Sequence, residues 1–307
     1  MNNSVDPAGS AGPQSTSETG IAGLDLGPGP RPEHADEWER RLRDGVQSML
    51  AEAGPEIGRL WGQVRIEVRP APGGDLQHLR IDATGLQATQ RGLEKAGALA
   101  RPTFPPAAEA EPITLHRVDL LAAPAHLDDV PIEARAELQD LQALLVRADD
   151  GHLWVLTDPQ RSLAQLQGQG TVTIRTEDLE TLAHRAVARQ LEDMGATLSS
   201  LRVRVRAEHE RALAVLADAK VRRRRLSATV QIRMDAHVDE QMVAHIGQVQ
   251  ARAGNPVVAM VLAAVRGKLD RYAGRTFDLN AHMPAGLRLV DLGVETGDDF
   301  VARARFA

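Results

Sequence analysis

"LSATVQIRMDAHV", residues 226–238, alternates apolar and polar side chains from end to end. Leu226, Ala228, Val230, Ile232, Met234, Ala236 and Val238 share one face of an extended chain, and Ser227, Thr229, Gln231, Arg233, Asp235 and His237 share the other. A period of two marks a strand with one dry face and one wet face, the pattern of an antiparallel sheet covered on one side. "LRVRVR", residues 201–206, repeats it. Leu201, Val203 and Val205 lie on the dry side, and Arg202, Arg204 and Arg206 on the wet side. Parallel α/β folds read as continuous apolar runs instead, and those are largely missing.

Further strands are predicted on either side: "QVRIEV" from 63, "HLRIDA" from 78, "ITLHRVDL" from 113, "PIEARAEL" from 131 and "LQALLVRADDGHLWVL" from 141, with a hairpin signal at Asp150-Gly151. "GTVTIRT" from 170, "LAVLADAKV" from 213, "MVAHIGQVQA" from 242, "GLRLVDLGVET" from 286 and "DFVARARF" from 299 complete the set.

Three amphipathic helices interrupt the strands. Over 35–53, Trp38, Leu42, Val46, Met49, Leu50 and Ala53 recur at helical spacing, and Gly54-Pro55 ends the run. Over 177–194 the stripe is Leu179, Leu182, Ala183, Ala186, Val187, Leu191 and Met194, with Thr176 as N-cap and Gly195 as stop. Over 256–273 it is Val258, Val261, Leu262, Val265, Leu269 and Tyr272, between Asn255-Pro256 and Gly274.

Strands with one dry face need helices to cover it. The expected fold is therefore α+β: a long, strongly curved antiparallel sheet wrapped around amphipathic helices, in one domain over 33–307. Residues 1–32, rich in Gly, Pro, Ser and Asn, are expected to be a disordered tail. The Pro/Ala-rich stretch 99–112 is expected to be a loop or insertion.

Only 3% of the 307 residues are aromatic, so Leu, Val and Ala must build the core. No cysteine is present, which excludes disulfides, thiol nucleophiles and cysteine-ligated metals. The net charge is −6, a poor match for nucleic acid as a whole. No segment approaches the ~18 apolar residues of a membrane span. The N-terminus lacks a basic segment followed by an apolar one. A cytoplasmic location is expected from this, with peripheral membrane contact as an alternative.

No G-x-S-x-G, H-E-x-x-H or P-loop pattern occurs. The Gly168-Gln169-Gly170 step precedes a strand, whereas a dinucleotide fingerprint follows one and opens a helix. The histidines are scattered, and Asp149-Asp150 and Asp298-Asp299 read as turn acids. No catalytic residue, metal or cofactor is expected. Arg222, Arg223, Arg224 and Arg225 read as a solvated hairpin tip. A contact with anionic head groups comes next, and a nucleic-acid contact last, for want of interleaved aromatics.

The order of elements resembles the LmeA-type bacterial phospholipid-binding family, related to the tubular lipid-binding (TULIP) proteins, from about residue 63 to the end. The likeness is carried by "VPIEARAELQDLQALLVRADDGHLWVL", by "GTVTIRTEDLETLAHRAV" with its T-x-D-L step at Thr176, Asp178 and Leu179, and by "FDLNAHMPAGLRLVDLGVETGDDFVARARF" with Pro284, Gly286 and Leu287. The resemblance implies a helix clasped by a curved sheet, an apolar lipid groove, no catalytic residues and a cell-envelope role. The chain departs from that pattern at its N-terminus. There helix 35–53 is left with three roles: plugging the groove, lying on a membrane or binding a partner.

The leading expectation is non-enzymatic binding of a phospholipid or another apolar ligand. Leu182, Val187, Val203, Val205, Val230, Ile232, Leu262 and Val265 would line the groove, and Arg222 to Arg225 would contact head groups. One alternative is a structural or interaction protein with a closed core, capable of self-association as a homo-oligomer. The third reading is nucleic-acid binding through the arginine patch.

Overall fold

The structure is a computed structural model that describes residues 23–51, 61–89, 107–157, 166–192, 195–223, 226–253, 274–283 and 287–307. Among them are fifteen strands, two α-helices and a short 3-10 turn at Asn280–His282. The first part holds β1 (Gly23–Pro28), α1 (Ala35–Ala51), β2 (Arg65–Pro70), β3 (Leu76–Asp82), β4 (Gln87–Ala88), β5 (Ala107–Leu127), β6 (Val130–Ala148) and β7 (His152–Thr157). It continues with β8 (Gln167–Arg175), α2 (Thr176–Glu192), β9 (Thr197–His209), β10 (Ala212–Arg223), β11 (Leu226–Val238) and β12 (Val243–Ala253). β13 (Thr276–Asp278), β14 (Leu289–Thr296) and β15 (Asp299–Phe306) close the chain.

The strands divide into two sheets where one was expected. Ten strands form the first, in the order β14-β15-β8-β6-β5-β3-β2, with β7 on β6, β1 on β7 and β4 on β5. Only β5 takes parallel neighbours, β3 and β4. The second sheet, β13-β12-β11-β10-β9, is antiparallel throughout. Edges meet at β14 and β9. The Val294 N–H donates to the Glu210 carbonyl at 2.7 Å, the Ala207 N–H to Thr296 Oγ1 at 3.0 Å, and Arg211 Nη2 to Asp291 Oδ1 at 2.6 Å.

β6 holds the first sheet together. Residues 131–138 and 141–148, expected as separate strands, form one strand that pairs β5 along nearly its whole length. Its other edge changes partner, from β8 at 133–139 to β7 at 143–147. Asp140 sits at the junction in the left-handed region (φ 53°), which aspartate tolerates better than most residues. Leu127-Asp128-Asp129-Val130 joins β5 to β6 with positive φ at both central residues, the two-residue hairpin geometry that suits strand twist.

Two expectations are corrected. Residues 23–28 are not tail: β1 pairs antiparallel with β7, and Leu26 is buried. Composition hid this, because Gly23 is what permits the approach. A Cβ there would lie 2.4 Å from the Leu156 side chain. Residues 107–112 are not loop but the start of β5, in register with Ala148 to Leu144 of β6. The free edge of β6 outweighs the low strand preference of Ala and Pro there. Residues 1–22 and 90–106 lie outside the described residues, as does the third expected helix, 256–273.

α1 packs on the first sheet. Trp38 and Leu42 join Leu26, Ile66, Val68, Leu76, Leu79, Ile113, Leu115 and Val118 in one buried cluster. α1 is therefore part of the core of the first sheet. α2 packs on the second sheet, where Leu191 joins Leu198, Leu201 and Ala219, with Val187, Val203, Ala217 and Val221 around them. The Thr176 hydroxyl, expected to cap α2, donates instead to the Gly297 carbonyl at 2.8 Å, and Asp178 accepts from Arg175 Nε at 3.0 Å. The start of α2 is thus tied to the β14–β15 turn.

Candidate functional site

Register places the dry faces of β9 to β12 in continuous rows. Leu201, Ala219, Val230 and Ala253 form one, and Val203, Ala217, Ile232 and Ala251 the next. Val205, Val215, Met234 and Val249 form a third, and Ala207, Leu213, Ala236 and Ile246 a fourth. Every one of these positions is apolar. α2 packs against the first two rows. In the third and fourth, Val205, Ala207, Leu213, Val215, Met234, Ala236, Ile246 and Val249 remain half-buried.

The structure brings most of the expected lining residues together. Val203, Val205, Val230 and Ile232 share this face, and Val187 reaches its α2-covered end. Leu182 is half-buried on α2; Val230 is buried; Leu262 and Val265 lie outside the described residues. Val215, Met234 and Val249 were missed. The alternation Leu213, Val215, Ala217, Ala219, Val221 in β10 carried the signal, because pairing two alternating strands puts their apolar sets on one face. Arg222 is exposed on the opposite face, beside Ser227 and Thr197. Arg223 ends β10, and Arg224 and Arg225 lie outside the described residues.

Two concavities lie off the second sheet. An apolar cavity of about 170 Å³ sits under α1, lined by residues that include Trp38, Leu42, Val46, Trp61, Ile66 and Ile113. A cavity near 150 Å³ accommodates a molecule the size of benzene, so this one is far too small for a phospholipid. A cleft of about 530 Å³ separates α2 from the β5–β6 turn. Its wall carries compensated charges: Arg189 reaches Asp128 at 3.3 Å and Arg185 reaches Asp129 at 3.7 Å.

The carboxyls held below their ordinary range sit in surface ion pairs, not in this cleft. Asp291 is lowered by hydrogen bonds from Arg211 and Arg305, Glu295 by Arg303, and Asp239 by His245 and the Val243 N–H. Such networks are structural as often as catalytic. Among the described residues no three His, Asp or Glu side chains gather as a metal site, and no helix is long and apolar enough to cross a membrane.

Compared with protein-family profiles, with curated proteins and with solved structures, the chain matches none.

Proposed function

We propose that the protein binds a phospholipid, or another ligand with a long apolar chain, against the dry face of the second sheet, and that no chemical step follows. The observation that carries this reading is the pair of rows through Val205–Val249 and Ala207–Ile246, which stay half-buried although every side chain in them is aliphatic. These two rows lack aromatic and hydrogen-bonding side chains, so they offer an acyl chain dispersion contacts and nothing more specific. Each CH₂ removed from water contributes about 0.8 kcal/mol, so a single long chain on this face is a substantial ligand for the fold. The curved, TULIP-like wrapping of sheet around helix belongs to the same proposal, and so does an apolar groove between them.

Native mass spectrometry of gently purified protein tests the reading. The expected result is lipid bound at a fixed stoichiometry, lost on extraction and regained from vesicles. A chain that carries no lipid and gains none would overturn it. A dimer that persists after delipidation would favour the closed-core interaction protein instead.

A further inference from the structure

The wet face of the second sheet is charged against the balance of the chain. Arg202, Arg204 and Arg206 on β9, Lys220 and Arg222 on β10, Arg233 on β11 and Arg252 on β12 all point to it, and all are exposed. The acids that alternate onto the same side are Asp218, Asp235 and, toward the far end, Glu208 on β9 and Asp278 on β13. Asp218 is taken by Arg204 at 3.1 Å and by Gln231 at 2.9 Å, and Asp235 lies 3.5 Å from Arg233. Among the described residues no carboxylate pairs with Arg202, Arg206, Lys220, Arg222 or Arg252.

Their cross-strand neighbours sharpen the pattern. Lys220 sits between Ser200 and Thr229, and Arg222 between Thr197 and Ser227. All four neighbours are exposed, so each of these cations is flanked by a hydroxyl from either adjoining strand. Two consecutive wet-face rows thus hold cations and hydroxyl donors and no acid. The first sheet handles its charges differently. There Arg117 pairs with Asp119 and Glu137, Arg303 with Glu295, and Arg305 with Asp291. Among the described residues Arg65 and Arg69 of β2 make no ion pair either, but Arg65 stands opposite Asp82, and Arg69 opposite His78, which binds Asp119. Consecutive rows of cations with no acid in them are therefore what sets the second sheet's wet face apart, in a chain of net charge −6.

We infer that this face docks on an anionic lipid bilayer. A hollow of about 210 Å³ on this face is lined by Arg204, Arg233 and Arg252, but it also holds Asp218, which Arg204 and Gln231 bind. Lys220, Arg222 and their flanking hydroxyls lie outside it, and cations and hydroxyls spread over neighbouring strands suit a plane of phosphate groups better than one buried anion. Nucleic acid fits less well: among the described residues the face carries no Phe, Tyr or Trp, and its two imidazoles, His237 and His245, already stack on each other with ring centroids 4.8 Å apart. The inference stands on charge placement alone and holds whether or not the opposite face carries a ligand.

Vesicle flotation of the full chain tests it. The protein should float with vesicles of phosphatidylcholine containing phosphatidylglycerol and not with phosphatidylcholine alone. Raising the salt to physiological strength, where the screening length falls to about 8 Å, should weaken the association. Each basic side chain near an anionic surface accounts for roughly fivefold in partitioning. The Lys220→Gln/Arg222→Gln double variant should therefore lose on the order of 25-fold. Arg117→Gln/Arg303→Gln removes the same net charge from the first sheet and should bind as the parent does. Equal flotation with both vesicle types, or equal loss in both double variants, overturns the inference. So does tighter binding to single-stranded DNA than to the anionic vesicles in the same buffer. Native mass spectrometry reads the other face separately, so the docking surface and the ligand face can fail independently.

Discussion

Gly45 sits in the middle of α1, where alanine would ordinarily be the better residue. In an exposed helix interior the exchange gains about 0.8–1.0 kcal/mol. Here a Cβ on residue 45 would meet the Asp25 carbonyl oxygen at 2.1 Å and the Leu24 side chain at 3.3 Å. The obstacle is backbone, and β1 is held by its pairing with β7 (Leu24 opposite Val155), so it cannot swing aside as a flexible side chain would. Helix and strand must separate, which opens the contact of Leu26 with Trp38 and Leu42. Forcing extra carbon into a packed core costs about 1–3 kcal/mol. Against the helix gain, Gly45→Ala should be net destabilising by up to about 2 kcal/mol. Urea unfolding followed by tryptophan fluorescence suits the measurement, because Trp38 lies in this cluster and Trp61 packs against it. Ser48→Ala is the control: it raises helix propensity at an exposed position of the same helix and should stabilise by a few tenths of a kcal/mol. If Gly45→Ala is as stabilising as Ser48→Ala, α1 is not docked on β1. The helix would then be free for a membrane or a partner.

Leu201→Ala removes the buried side chain around which α2 and β9 pack, and should cost about 2–5 kcal/mol in the same unfolding assay. Val205→Asp and Met234→Asp place a charge on the half-buried rows; they should abolish lipid copurification in native mass spectra while leaving circular dichroism unchanged. Asp291→Asn removes the negative charge, and one of the two acceptor oxygens, that Arg211 and Arg305 bind at the junction of the two sheets, and should cost about 1 kcal/mol at neutral pH. Because those hydrogen bonds hold the folded Asp291 carboxyl below its ordinary 3.8, its contribution is complete above that value and fades as the pH falls through the lower folded one. Acid titration of stability should therefore be shallower in the variant below about pH 4.

The strands were legible because a half-buried strand imposes its period of two on the sequence, and β9 and β11 carry that period over their whole length. α1 and α2 were legible for the same reason at a period of 3.6, to within two residues at each end the structure describes. What could not be read was which edges meet. β1 is a strand because β7 offers it a free edge, and residues 107–112 are a strand because β6 runs on beside them. The partner change of β6 at Asp140 and the split into two sheets are also pairing choices, settled far away in sequence. The dry face of the second sheet was legible on β9 and β11 and overlooked on β10, which joins them. Its alternation was visible, but its neighbours were not.

A strand that alternates has to put something on its wet face, and solubility constrains the choice weakly. Acids, amides or balanced ion pairs would all serve, and the first sheet uses balanced pairs, as at Arg117–Glu137 and Arg303–Glu295. In a chain with 42 acidic residues against 36 basic ones, an unbiased wet face would lean negative. The second sheet leans the other way, with Lys220 and Arg222 set among hydroxyls and no carboxylate in either row. Folding does not require that arrangement. Lys220 and Arg222 stand two residues apart on one strand with hydroxyls opposite them, so neutralising both breaks no ion pair and should leave the fold at least as stable as the parent. A residue pair whose removal costs no stability but abolishes vesicle binding would show that the wet face is retained for what it touches. A pair whose removal destabilises the sheet would show that the cations support the strands, and the docking surface would lose its basis.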